Sequence, residues 1–245
     1  MPQGDVVALV LTGGLGTRLR GVVGDRPKAL AEISGRPFLS WQLDALARQG
    51  VTHAVLCTGH LSEMIEAVFP AGRLANGVVV SHSREPRPLG TGGALRRGLE
   101  MAPGGGETVL GVNGDKFCAF DLPAFAAAHR PGACGTLLLA QVEDAARYAS
   151  VETDDRGLVT RFREKAAAGT LPPGGWISAG IYLLSRRHLG ELPLDQPLSI
   201  EREVFPGWIG RGLSAYRGGS RFLDIGTPES YACAASYLRE DGGPG

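Results

Sequence analysis

The sequence predicts an α/β protein built on a doubly wound, mainly parallel open sheet, with a small β-hairpin portion in its second half. Three observations carry this reading. Short apolar runs of strand length alternate with helical stripes through the first half. A glycine-rich turn follows directly on the first of those runs. The chain has 245 residues, 43% of them hydrophobic, which is enough to bury the core such a sheet requires. It reads as a single domain over 1–245, with one half over 1–133, a second over 134–240 and a frayed tail over 241–245.

Asp5–Thr12 (DVVALVLT) is a continuous apolar run, the pattern of a strand covered on both faces. Arg36–Gln49 sets Leu39, Leu43, Leu46 and Ala47 on one stripe and meets a stop signal at Gly50, so a helix is expected there. Thr52–Thr58 follows as a strand, Ser62–Phe69 as a helix, Gly77–Ser83 as a strand, Thr91–Met101 as a helix and Glu107–Asn113 as a fourth strand. This alternation implies right-handed, Rossmann-like βαβ units, whose ligands sit beyond the C-terminal ends of the strands. The second half changes rhythm. Gly135–Val142 is a strand, and Tyr148–Thr153 and Leu158–Arg163 flank the turn Asp154-Asp155-Arg156-Gly157. Ile177–Leu184 is another strand, and Ala166–Gly175 is loop-like. The final helix is expected to have Thr227 as its cap, Pro228 in first position, and Tyr231, Ala234, Ala235 and Leu238 on one face.

Composition sets aside several functions. Lys+Arg and Asp+Glu both number 25, so the chain lacks the basic excess of a nucleic-acid binder. Apolar runs such as Val6–Leu11 fall far short of the ~18–20 residues of a membrane span. No charged-then-apolar leader opens the chain, so a cytoplasmic protein is expected. Self-association is compatible with the composition and not specified by it. Cys57, Cys118, Cys134 and Cys233 form no CxxC pair, and His53, His60, His82, His129 and His188 form no HExxH. Metal chemistry would rest on carboxylates.

The strongest local signal is Gly13-Gly14-Leu15-Gly16-Thr17-Arg18-Leu19 after the first strand. Glycines there let backbone N–H groups approach phosphate oxygens, and Arg18 adds charge-assisted contacts. A flexible strand-to-helix turn is the alternative. The dinucleotide fingerprint would need glycine at Thr17 or Arg18, and no Gly-Lys-Ser/Thr occurs for a Walker loop. Lys28 follows Pro27, which stiffens its approach, and taken alone it is an ordinary surface charge.

GGLGTRL followed by Arg26-Pro27-Lys28-Ala29-Leu30 closely resembles the signature of sugar-1-phosphate nucleotidylyltransferases. The likeness continues in family order through Glu85–Ala94 (EPRPLGTGGA), Asn113-Gly114-Asp115, Phe162-Arg163-Glu164-Lys165, Ser178–Tyr182 (SAGIY) and Phe222–Pro228 (FLDIGTP). The PLGTGGA form and the DIGTPE ending look like the heptose- and mannose-1-phosphate guanylyltransferase branch. The resemblance implies a glycosyltransferase-A-like nucleotidyltransferase fold, with residues 1–133 mainly binding nucleotide and 134–240 mainly binding the sugar phosphate.

It also implies residue roles. Arg18 would grip the outgoing β/γ phosphates, Lys28 neutralise the reacting phosphates and Lys165 hold the sugar phosphate, while Asp115 and Asp224 would share a Mg²⁺ ion. Nucleotide contacts would come from Leu11, Gly13, Gly14, Gly16, Thr17 and Arg18, from Pro88, Leu89, Gly90 and Thr91, and from Asn113 and Gly114. Sugar contacts would come from Tyr148, Ala149, Glu164, Lys165, Ser178 and Gly180. The substrates implied are an NTP, with GTP favoured, and D-glycero-D-manno-heptose 1-phosphate or mannose 1-phosphate. UTP, CTP or ATP with another hexose 1-phosphate is an alternative, and a non-catalytic sugar-nucleotide-binding regulator is one of a different class. A nicotinamide oxidoreductase is weakened by the missing fingerprint.

The departures from the family pattern fall on the sugar side. Ser178 stands where relatives commonly have asparagine, Ala149 where they have glycine after the tyrosine of Arg147-Tyr148, and Ala166 where proline often follows Glu-Lys. Lys116 beside Asp115 would either add charge toward phosphate or point into solvent.

Overall fold

The computed structural model describes residues 6–14, 19–142, 145, 148–163 and 175–239. In chain order, β1 (Val6–Leu11) leads to α1 (Arg20–Val23), a 3₁₀ turn at Lys28–Leu30, the ribbon β2 (Glu32–Ile33) and β3 (Arg36–Pro37), and α2 (Phe38–Arg48). Then come β4 (Val51–Thr58), α3 (Ser62–Val68), β5 (Gly72–Arg73), β6 (Val79–Arg84), α4 (Gly90–Met101), β7 (Thr108–Asn113), β8 (Lys116–Ala119) and α5 (Leu122–Ala127). The second half holds β9 (Gly135–Gln141), β10 (Ser150–Thr153), β11 (Val159–Arg163), β12 (Trp176–Ser185), α6 (Arg186–Gly190), a π-helical turn at Ile200–Val204, α7 (Phe205–Trp208), β13 (Ser214–Asp224) and α8 (Pro228–Arg239).

The main sheet runs β5-β6-β4-β1-β7-β12-β9-β13-β8, with the β10–β11 hairpin attached through β12. Its first-half strands β6, β4, β1 and β7 are parallel, as expected. It is nonetheless a mixed sheet, because β12 lies antiparallel between β7 and β9, and β8 antiparallel on β13. Alternate residues of β1 enter opposite cores, which is why that run is apolar throughout. Ala8 and Val10 pack with Leu39, Leu43 and Leu46 of α2, Ile65 of α3 and Phe125 of α5. Val7 and Leu9 pack with Leu95 of α4, Leu189 of α6 and Phe205 and Trp208 of α7. A smaller cluster fastens α8 through Ala234 and Leu238 to Phe38, Trp41, Phe117 and Leu223.

Helix α2 starts two residues later than expected. Ser34 (φ 52°) and Gly35 (φ 75°) form a left-handed two-residue turn, so Arg36 pairs with Ile33 in a ribbon. The expected hairpin forms around Asp154, whose Oδ1 accepts from the N–H groups of Arg156 and Leu158, with Gly157 at φ 76°. Thr227 caps α8 as expected, its Oγ1 accepting from Ser230 N–H. No helix among the described residues is long and apolar enough to cross a membrane.

Candidate functional site

The registers of β1 and β7 bring Leu11 level with Asn113, and the chain opens a cleft of about 370 Å³ beyond these strand ends. Its walls include Leu11 at the end of β1 with Thr12 and Gly14 beyond it, Lys28 and Ala29 from the 3₁₀ turn, Thr91 of α4, and Asn113–Lys116 from the end of β7 to the start of β8. Tyr148, Ala149, Glu201, Asp224, Gly226 and Thr227 complete it.

Each charged group arrives from a different element. Pro27 is buried, with φ −57°, and fixes the direction from which Lys28 enters. The Lys28 ammonium lies 3.3 Å from Asp115 Oδ2, with only 14% of the lysine side chain exposed. Asp115 sits on a tight two-residue link, since Gly114 N–H already bonds to Leu11 O at 2.9 Å. A Cβ on Gly114 would overlap the Leu11 carbonyl oxygen, so only glycine fits. Gly114→Ala is therefore expected to cost about 1–3 kcal/mol, the usual penalty for forced overpacking. A thermal melt reads it, and an unchanged Tm would refute the fit argument.

Asp224 closes β13 opposite Lys116 of β8, and Ile225 N–H bonds to Asp115 O at 3.1 Å, which ties the two aspartates together. Asp224 Oδ1 accepts from Gly226 N–H at 2.7 Å. Burial and the neighbouring Asp115 charge raise the Asp224 carboxyl above its ordinary value, against the opposing pull of Lys116, the Gly226 N–H and Lys28. Lys116 thus faces the cleft and adds positive charge there. Among the described residues no three His, Cys, Asp or Glu side chains gather as a protein-only metal cage. Two carboxylates completed by substrate phosphates would fit a hard cation.

A supporting residue escaped the sequence reading. Gln42 of α2 is buried, and its Nε2 donates to Asn113 O at 2.9 Å and to Lys116 O, bracing the loop that carries Asp115. The signal was a glutamine between Trp41 and Leu43 on an otherwise apolar helix face.

The segment Pro88–Thr91 has a packing logic of its own. Leu89 N–H donates to Glu85 Oε2 at 2.7 Å, and Leu89 O accepts from Leu198 N–H at 2.8 Å. Gly92 and Gly93 N–H groups both bond to Leu198 O, and side chains at Gly90 or Gly93 would press on Leu198 O at 2.7 Å or Gln196 O at 2.5 Å. These glycines admit the 196–198 strap, which engages their donors. Thr91 does not cap α4; its Oγ1 accepts from Ile200 N–H at 2.9 Å. Pro88 is exposed and Leu89 buried. Glu85 packs against the glycine turn, its Oε1 3.2 Å from where a Gly13 Cβ would stand. Burial raises its carboxyl, and the Leu89 N–H and the Arg97 charge pull it back.

On the remaining wall Tyr148 stands edge-on to Phe222 at 5.1 Å, and Ala149 O accepts from Ser178 N–H at 3.0 Å. Ser178 is 1% exposed and lies behind this wall. Gly180 (φ 74°) occupies a bulge in β12, and a Cβ there would crowd Asn113 Nδ2 and Lys116 Cδ, both at 2.9 Å. Gly16, Thr17, Arg18, Glu164 and Lys165 lie outside the described residues.

Known proteins match the chain along nearly all its length. Mannose-1-phosphate guanylyltransferase of Mycobacterium tuberculosis is 35% identical over 242 residues, covering 97% of this chain and 66% of that protein. The chain therefore spans about two thirds of that relative's length. D-glycero-alpha-D-manno-heptose 1-phosphate guanylyltransferase of Campylobacter jejuni is 33% identical over 224 residues, covering 91% of this chain and 96% of that one. The crystal structure of HddC from Yersinia pseudotuberculosis superposes with a TM-score of 0.80 at 30% identity, covering 94% of this chain and 98% of that chain, and was also determined with GMP-PN. Residues 7–241 match the family profile described as nucleotidyl transferase, and the chain belongs to that family.

Proposed function

We propose that the protein is a Mg²⁺-dependent sugar-1-phosphate guanylyltransferase, joining GMP from GTP to mannose 1-phosphate or D-glycero-D-manno-heptose 1-phosphate and releasing pyrophosphate. The observation that carries this reading is the convergence of Lys28, Asp115, Lys116 and Asp224 in one cleft at the strand ends. The names of the similar guanylyltransferases support the choice of substrates.

The chemistry asks little covalent work of the protein. An oxygen of the sugar phosphate attacks the α-phosphorus, a new P–O bond forms, and the bond to the β-phosphate breaks with its electron pair on pyrophosphate. The nucleophile is already an anion, so no general base is required. The difficulty is holding two polyanions in line, which preorganised cations address. Lys28 is placed for this, its side chain mostly enclosed and its ammonium aligned by Asp115. By resemblance Arg18 and Lys165 would add to it. A Mg²⁺ ion shared by Asp115 and Asp224 would neutralise phosphate charge and fix the geometry of the α-phosphate. The pair fits such an ion, because two neighbouring carboxylates, one raised by the other, gain from a cation between them.

Guanine preference finds support in Glu85. A carboxylate only accepts hydrogen bonds, and guanine presents adjacent N1–H and N2–H₂ donors on one edge. Glu85 stands against the Gly13 turn with Oε2 engaged by Leu89 N–H, which leaves Oε1 as the acceptor proposed for one of these donors. Glu85→Gln is expected to lower kcat/KM for GTP about tenfold or more while UTP and ATP change little. Equal losses with all nucleotides would refute this role.

Pyrophosphate release measured across four NTPs and a set of sugar 1-phosphates, with and without chelator, tests the whole reading. Turnover with GTP and mannose or heptose 1-phosphate is expected. Binding without turnover in every combination would instead identify a non-catalytic binder.

A further inference from the structure

We propose that Lys116 is a built-in counter-cation for the Asp115–Asp224 pair, which disfavours free Mg²⁺ in the empty cleft and makes the ion enter together with the nucleotide; this rests on the Mg²⁺-dependent reading of the cleft.

The main chain of Lys116 is fixed from two sides. Its carbonyl oxygen accepts from the buried Gln42 Nε2, and its Cα pairs with that of Asp224 across the antiparallel β8–β13 ladder. Paired residues on antiparallel strands send their side chains to the same face, so a lysine and an aspartate are set side by side there. The side chain is guided as well. Gly180, at φ 74° in the bulge of β12, would place a Cβ 2.9 Å from Lys116 Cδ, so the bulge leaves passage for the lysine stem. Lys116 borders a second cavity of about 140 Å³, with Val112, Phe117 and Ile181, as well as the main cleft. Apolar neighbours for the methylenes and a polar exit for the ammonium suit a lysine.

Charge then decides what the empty site prefers. Lys28 lies 3.3 Å from Asp115, and the Lys116 charge pulls the Asp224 carboxyl down more strongly than that of Lys28 does. Each aspartate therefore has an ammonium of its own, and the four groups together carry no net charge. Glu201 is the other charged side chain of the described wall. It accepts from the Tyr182 hydroxyl at 2.8 Å, and its charge is not among those acting on Asp224. A free divalent ion entering this neutral group would be repelled by two ammonium charges. A triphosphate reverses the balance, because its oxygens engage the ammonium groups and supply the ligands that two carboxylates lack. Nucleotide and Mg²⁺ thus strengthen each other's binding, and Lys116 carries part of that coupling.

The test is calorimetry on the full chain without sugar phosphate, titrating Mg²⁺ alone, GTP with chelator, and GTP at saturating Mg²⁺. Lys116→Met is expected to bind free Mg²⁺ about tenfold more tightly than the wild type and metal-free GTP about tenfold more weakly. With Mg²⁺ saturating, GTP affinity should change by less than about threefold, because the two effects oppose each other. Lys116→Arg keeps the charge and should stay within about threefold of the wild type in every titration. Equal free-Mg²⁺ affinity in wild type and Lys116→Met would overturn the proposal. So would loss of both affinities together with a lower Tm, the mark of a merely structural lysine. Should Lys116→Met fail to fold, Lys116→Gln makes the same comparison. If Mg²⁺ strengthens GTP binding equally in both proteins, the Mg²⁺ reading stands and the role of Lys116 alone falls. If neither protein binds Mg²⁺, with GTP or without it, the Mg²⁺ reading falls and this role falls with it.

Discussion

Asp115→Asn and Asp224→Asn are each expected to remove at least about 10²–10³ of the turnover, the range seen when one preorganised electrostatic contact of a transition state is lost. Stability should not follow activity down. The folded protein holds the Asp224 proton more tightly than the unfolded chain does, through burial and the Asp115 charge. Its contribution to stability is therefore present at pH below the ordinary carboxylate value and is lost as pH rises through the raised one. At neutral pH the ionised carboxylate is a net cost. Asparagine removes the charge and still offers Gly226 N–H an acceptor, so Tm should hold or rise. Asp115→Asn gives up a partly exposed ion pair with Lys28 but relieves the same repulsion. Pyrophosphate release and thermal melts on both variants, with a magnesium titration after chelation, provide the check. Near-normal activity in either variant, or stability lost together with activity, would overturn the assignment.

The parallel half of the fold was legible because its physics is local. Asp5–Thr12 reads as a strand since both faces of β1 are covered, and the stripe of Leu39, Leu43 and Leu46 reads as α2 since it meets one core. Of the strands that make the sheet mixed, β12 was read from its apolar run, whereas β8 and β13 were harder to read. Residues of β13 include Gly218, Gly219, Arg217 and Arg221, with register shifts after Tyr216 and Ser220, so no alternation survives in the sequence. A side chain at Gly219 would meet Leu139 O at 2.7 Å, a requirement visible only once β9 lies alongside. Helix α5 carried a capping signal in Asp121, whose Oδ1 accepts from Ala124 N–H, but six residues are too few to show a period.

The site divides in the same way. Lys28, Asp115 and Asp224 could be named in advance because motif order carried them, and the structure gathers them in one cleft. Gln42, Glu85 and Glu201 make hydrogen bonds across 71, 4 and 19 residues, to Asn113, Leu89 and Tyr182 respectively. Two of these three contacts are non-local, and the nearer one joins a main-chain N–H to the Glu85 carboxylate. Ser178 shows the converse. Its place in SAGIY singled it out as a sugar contact, yet the bulge at Gly180 leaves it behind the wall that Ala149 forms.

Lys28→Ala should be nearly as damaging as loss of an aspartate, by about 3–4 kcal/mol in kcat/KM, with every sugar 1-phosphate tested. The side chain is mostly enclosed, so water does not replace the lost charge well. Lys28→Arg should recover only part, because a planar fork does not reproduce a compact ammonium. The decisive measurement is the cycle with Asp115→Asn. Lys28 and Asp115 are in contact, and the lysine charge also lowers the Asp224 carboxyl, so the three groups form one electrostatic unit. Removing a second member of such a unit costs less than removing the first, and the double variant should be far more active than the product of the two single losses predicts. Fully multiplicative losses would mean that Lys28 and Asp115 serve separate steps. An effect of Lys28→Ala confined to one sugar would move it from the reacting phosphates to the sugar pocket.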